Sequence, residues 1–248
     1  MSLARRHQDR ILAAQAASAP AAGSGLSAEM LAADRAAAQI ALRLQHDLRR
    51  LKEIKALPRK IAAKREMLPE YAAWIEGLLA ADQPDTGVAA EVLPTIMVWL
   101  IDVGDYPAAL DLGRFILRHG VAMPARYHRD AASVLAEDIA EAAIKAQNAD
   151  QPFALDILEA VEELTADIDM HDPIAAKLQK AVGVELDRAA RAAAEAGTPE
   201  GALAMLLRSR TALMAAQDLQ DRIGVKTVLK NVEKAIASAA HAPAVSET

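Results

Sequence analysis

Between Arg43 and Arg65 the chain places nine cations, Arg43, Arg49, Arg50, Lys52, Lys55, Arg59, Lys60, Lys64 and Arg65, against two acids, Asp47 and Glu53. The chemistry open to such a run is phosphate neutralisation, which releases condensed counterions and so weakens steeply with salt. Few Asn, Gln, Ser or Thr accompany the cations. The pattern therefore favours clamping a polyanion backbone over reading base edges. Arg43, Arg50 and Lys64 fall at multiples of seven, one helical stripe were Pro58 not between them. Arg49, Lys52, Arg59 and Lys60 spread to neighbouring faces. Two plainer readings compete: a solvated helix face, and a basic strip that pairs with the acidic body of a neighbouring subunit.

Other chemistries find less support. Without cysteine there is no disulfide, iron–sulfur cluster, zinc knuckle or thiol nucleophile. No phosphate-cradling G-x4-G-K-[ST] string occurs, nor H-E-x-x-H, nor G-x-S-x-G. The acid pairs Glu137-Asp138, Glu162-Glu163 and Asp167/Asp169 invite a Mg2+ reading. Adjacent helical positions point about 100° apart, so such acids do not converge on one metal and read as solvated faces. Asp102 and Asp105 flank Gly104 and suit capping and turn formation. Of six histidines none has an i, i+4 histidine partner, and His119 reads as a complement to a helix C-terminus. Trp74 and Trp99 read as apolar anchors, and Met97, Met123, Met205 and Met214 as core fillers. No residue is expected to be catalytic, and neither a metal nor a cofactor is expected.

The elements that must position these residues are helical. The 248 residues include 59 Ala but only two Trp, three Tyr and two Phe. Strand formers are scarce and helix formers dominate, which predicts an all-α fold. Residues 1–65 hold 13 Lys+Arg and 5 Asp+Glu, whereas 66–248 hold 15 and 29. A leading part of +8 is thus fused to a body of −14, the signature of a polyanion-binding module attached to something else. No run of apolar residues is long enough to span a membrane, and the start does not read as a signal peptide.

Composition divides the chain into a flexible basic arm and linker (1–26), a basic helical region (27–66) and a central helical core domain (67–150). C-terminal helical hairpins (151–240) and a frayed tail (241–248) follow. Ser27 is the expected cap of a long helix running to Leu57, with a second short helix from Arg59 to about Leu68. Further helices are predicted over about 70–81, 88–103, 107–119, 130–147, 152–165, 173–196, 199–218 and 223–238, with a turn at 81–87 and Gly120 as a helix-ending glycine. Three helix starts share one pattern, Asp105-Tyr-Pro, Asp150-Gln-Pro and Thr198-Pro. Each offers a capping side chain before a first-turn proline, as in antiparallel hairpins of weakly tetratricopeptide-like kind.

Two stretches, AAKREMLPEYAAWIEGLL from Ala62 and EVLPTIMVWLIDVGDYPAALDLGRFILRHGVAMP from Glu91 to Pro124, carry a resemblance. Lys64-Arg65-Glu66, Leu68-Pro69, Trp74, Met97-Val98-Trp99, Asp102-x-Gly104-Asp105 and Gly120-x-x-Met123-Pro124 are similar to the gpM-type small terminase subunit of tailed phages with cohesive ends. The likeness is strong over 63–147 and weaker elsewhere between 3 and 238. It implies a DNA-packaging protein of a phage or prophage, located in the host cytoplasm. Such a subunit binds the packaging site on concatemeric double-stranded phage DNA, forms a homo-oligomer, and delivers DNA to the terminase large subunit. The large subunit holds the ATPase and nuclease, and the complex is catalogued as an endonuclease. Trp74, Trp99, Asp102, Gly104, Asp105 and Pro124 are then structural motif residues, and the nine cations are the DNA contacts. One departure matters: relatives can end in a long Lys/Arg-rich tail, whereas this sequence ends HAPAVSET. The rival reading is a helical-repeat scaffold that binds a protein partner without DNA contact, and a third is a metal-dependent nuclease.

Overall fold

The computed structural model describes residues 3–18, 28–82 and 87–240. The expected Ser27 cap, residues 19–26 of the expected linker, residues 83–86 of the expected turn and the 241–248 tail lie outside them. Among the described residues every regular element is a helix: α1 (Leu3–Ser18), α2 (Ala28–Glu53), α3 (Leu57–Met67), α4 (Pro69–Ala81), α5 (Val88–Val103), α6 (Tyr106–His119), α7 (Ala131–Asn148), α8 (Leu155–Thr165), α9 (Asp172–Glu195), α10 (Pro199–Leu219) and α11 (Lys226–Ala240). The fold is all-α. It forms two compact units divided between Ala131 and Ala132, a division that falls inside the 67–150 stretch grouped above as one domain.

Two differences concern the leading third. The arm is helical to Ser18, and α1 packs on α2 and α4, although composition read residues 1–26 as a flexible arm and linker. The break before α3 comes earlier than Pro58: α2 ends at Glu53 and Pro58 sits inside the first turn of α3. A proline there forfeits no helical hydrogen bond, since a first-turn N–H has no partner to lose. The chain therefore turns over Ile54–Ala56 instead.

In the first unit α5 is the axis. Ten of its residues are buried, among them Leu93, Ile96, Met97, Trp99 and Leu100, and it packs on α2, α3 and α6. Pro94 inside it removes one helical N–H. Around that turn Thr95 Oγ1 donates to the Glu91 carbonyl at 2.6 Å, and Arg126 reaches the Glu91 carboxylate at 2.7 Å. Gly104, at φ 83°, ends α5, and the Asp105 carboxylate accepts from Ala108 N at 3.4 Å to start α6, as its pattern predicts. Gly120, at φ 61°, ends α6 in the expected place. Pro124 is buried and accepts from Tyr127 N at 2.8 Å in the connection that follows.

In the second unit α9 packs on α8 and α10, and α10 packs on α11. The alanine content is spent here on close approach: Ala176, Ala181 and Ala190 of α9 and Ala202, Ala212 and Ala216 of α10 are buried. Ser209 Oγ donates to the Gly183 carbonyl at 2.7 Å between these helices. A Cβ on Gly183 would lie 2.7 Å from Leu213 Cγ and 3.3 Å from its backbone nitrogen. Gly183→Ala is therefore expected to force α9 and α10 apart at a cost of about 1–3 kcal/mol, seen as a lower urea midpoint with helicity retained.

The other two shared helix starts cap differently from expectation. Asp150 lies before α8 at φ 54°, closing the end of α7, and its carboxylate meets Arg188 at 3.3 Å. Helix α8 opens at Leu155, with Ala154 as an N-cap that offers no side-chain bond. Thr198 does precede α10, but its hydroxyl donates back to the Ala193 carbonyl of α9 at 2.8 Å. Met97 is fully buried as expected, whereas Met214 is 47 % exposed on the outer face of α10.

Candidate nucleic-acid interface

Helices α2 and α3 and the short elbow that joins them, residues 54–56, together carry the run of nine cations, with Lys55 in the elbow itself. The inward face of α2 is set by Ala36, Leu44, Asp47 and Leu51, all buried. Arg43 and Arg50 each sit one residue before a buried leucine, so they straddle the edge of that face. Both find acids there: Arg43 meets Glu70 at 2.7 Å and Arg50 meets Glu66 at 2.7 Å. At the far end of α3, Lys64 pairs with Asp102 and is only 15 % exposed. Arg65 Nη2 donates to the Val103 carbonyl at 3.2 Å. These last two cations meet the C-terminal end of α5, where the helix dipole also favours positive charge.

The seven-residue stripe is thus the part of the run that the fold uses for itself. Arg49, Lys52, Lys55, Arg59 and Lys60 differ: four are exposed, Lys60 is half-buried, and among the described residues none forms an ion pair. They fall near the C-terminal end of α2, in the elbow and in the first turn of α3. No side chain caps the N-terminus of α3, so its first N–H groups add to the positive field of the same spot.

A buried polar link that composition does not reveal ties α2 to α4. Tyr71 of α4 donates its hydroxyl to Asp47 Oδ2 at 2.7 Å, and both residues are buried. Burial, followed by the hydrogen bond to Asp47 and its charge, holds the Tyr71 phenol far above its ordinary pKa, so it remains a donor through the neutral and alkaline range. The Tyr71 ring in turn meets Trp99 edge to face at 6.0 Å. Asp47 is therefore an internal anchor for α2 rather than a break in the basic surface. Trp74 and Trp99 are each 2 % exposed, which makes both of them core anchors.

Of the acids once open to a metal reading, Glu137 and Glu162 are engaged elsewhere, whereas Glu163, Asp167 and Asp169 are exposed. Lys177 donates to Glu137 and Glu141, both at 2.6 Å, and Gln179 donates to Glu162 at 2.6 Å. Asp102 is taken by Lys64 and Asp105 by its helix cap. His119 closes on Asp82 at 3.0 Å and packs on Phe115. Among the described residues no three His, Asp or Glu side chains gather as a metal site would require.

A family model described as phage small terminase subunit matches residues 41–173. A terminase endonuclease subunit of Escherichia phage P2 is 33 % identical over 236 residues, covering 94 % of this chain and 85 % of that protein. No solved structure matches. The matched span begins within α2 and takes in all nine cations, both tryptophans and the Asp102-Val-Gly-Asp105 junction.

Proposed function

Because the chain belongs to the phage small terminase subunit family, which gives it a part in phage DNA packaging, we propose that its part is to hold double-stranded DNA at the α2–α3 elbow. It does so as a homo-oligomer in the host cytoplasm, and it passes the DNA to the large subunit. The observation that carries this reading is the set of five cations, Arg49, Lys52, Lys55, Arg59 and Lys60, that no acid among the described residues claims. Several such elbows in one assembly raise avidity through effective concentration, without a tight contact at any one of them.

The chain itself is an accessory and not the nuclease. The relative's name includes the word endonuclease, which on this reading describes the complex. Support comes from the commitments of the carboxylates, since Glu137, Glu141, Glu162, Asp102 and Asp105 all serve packing or capping. Titration of the full chain into labelled duplex, by fluorescence anisotropy at low and moderate salt, tests the proposal. Binding that falls steeply with salt is expected. Absence of duplex binding even at low salt would overturn it.

A second reading has an observation of its own. An apolar groove of about 760 Å3 runs between α4, α5 and α6, with Leu68, Ile75, Leu79, Ile96, Leu100 and Leu112 in its lining. A protein segment laid there would make the chain a scaffold. That reading takes precedence if the duplex titration fails.

A further inference from the structure

We infer that the tip of the α2–α3 elbow is a wedge that enters the minor groove of a DNA duplex and opens one base step. The inference rests on the DNA-holding role proposed above. At the tip three consecutive apolar residues, Ala56, Leu57 and Pro58, are all exposed, with Leu57 62 % exposed. They lie between Lys55 on one side and Arg59-Lys60 on the other. Among the described residues the other large exposed hydrophobics, Ile11, Leu42, Leu207, Met214 and Leu219, are not flanked in this way.

Clamping a phosphate backbone asks nothing of a leucine. An apolar side chain held in water among cations gains only when the surface that meets the cations also offers an apolar slot. The opened base step of a duplex is such a slot. Proteins that combine minor-groove cations with Leu, Ile, Met, Phe or Pro wedges unstack a step and kink the helix by about 20–90°. Only three residues, 54–56, join the two helices, so Leu57 and Pro58 stand in the first turn of α3 directly after the elbow. Pro58 brings a rigid ring and no N–H. Asn, Gln, Ser and Thr, which read base edges, are missing from residues 46–70, in keeping with recognition through deformation rather than through base contacts.

The test uses the full chain and a short duplex with 2-aminopurine in a central TA step, the kind of step that unstacks most readily. Binding is followed by anisotropy, unstacking by 2-aminopurine fluorescence, and bending by energy transfer between dyes at the two ends. The wild-type chain is expected to raise the fluorescence and shorten the end-to-end distance. Leu57→Ala is expected to keep salt-dependent binding and to lose both signals, while Leu57→Met keeps them. Since Leu57 is largely exposed, the alanine variant retains its fold, which circular dichroism checks. If the wild-type chain binds without either signal, or Leu57→Ala retains both, the wedge is refuted while the DNA-holding role stands. If the wild-type chain does not bind duplex at all, both readings fall together.

Discussion

Replacing Arg49, Lys52, Lys55, Arg59 and Lys60 together by alanine is expected to remove most of the salt dependence of duplex binding. If each contacts one phosphate, the slope of log K against log salt falls by about 4.5, at about 0.9 per phosphate. With binding near 1 M salt unchanged, that slope corresponds to a loss of roughly 10⁴-fold near 0.1 M salt. The fold tolerates the change, because none of the five forms an ion pair among the described residues and alanine is a good helix former. Anisotropy titrations at four or more salt concentrations give the slope directly, and circular dichroism confirms helicity. The control is the other half of the run. Arg43→Ala and Lys64→Ala each remove an ion-pair partner, of Glu70 and Asp102 respectively. They are expected to lower stability and leave the slope nearly unchanged. Equal slopes for the five-fold variant and the wild type would show that the elbow is not the contact.

This split within one run of cations marks the limit of what was legible in the sequence. Charge asymmetry and helical periodicity locate the basic region and nearly every helix, because apolar spacing and helix-stopping Gly and Pro act locally. Which cation is free is not a local property. Arg49 and Arg50 are neighbours of the same type, yet only Arg50 faces an acid, and that acid is Glu66, on the far side of the elbow. Arg43, Arg50 and Lys64, spaced at multiples of seven, all meet acids of neighbouring helices, since regular spacing beside an apolar face aims side chains at those helices. Helix caps failed similarly. Asp105 caps as its pattern predicts, whereas Asp150 and Thr198 turn to Arg188 and the Ala193 carbonyl, partners supplied by α9. Asp47 read as a dilution of positive charge, and only the buried hydroxyl of Tyr71 gives it a role.

Trp99→Ala is expected to destabilise the first unit by about 3–5 kcal/mol, the range for a large aromatic removed from a closed core. Trp99 is 2 % exposed on the most buried helix of its unit, so little solvent or side-chain movement can refill the space. The change should lower the melting temperature by about 10 °C or more. A consequence for function follows from the neighbours. Trp99 supports the ring of Tyr71, and Tyr71 holds Asp47 on α2, the helix whose end forms the elbow. Tyr71→Phe keeps the ring and deletes only the donor, leaving the buried Asp47 carboxylate short of a partner at a cost of about 1–3 kcal/mol. If the three groups act as one support, the double variant should cost less than the sum of the single ones, because loss of Trp99 already loosens the hydrogen bond. Urea denaturation of the four proteins measures that difference. Strict additivity would mean that the aromatic pair and the hydrogen bond hold α2 independently, and the elbow would then keep its alignment when either is lost.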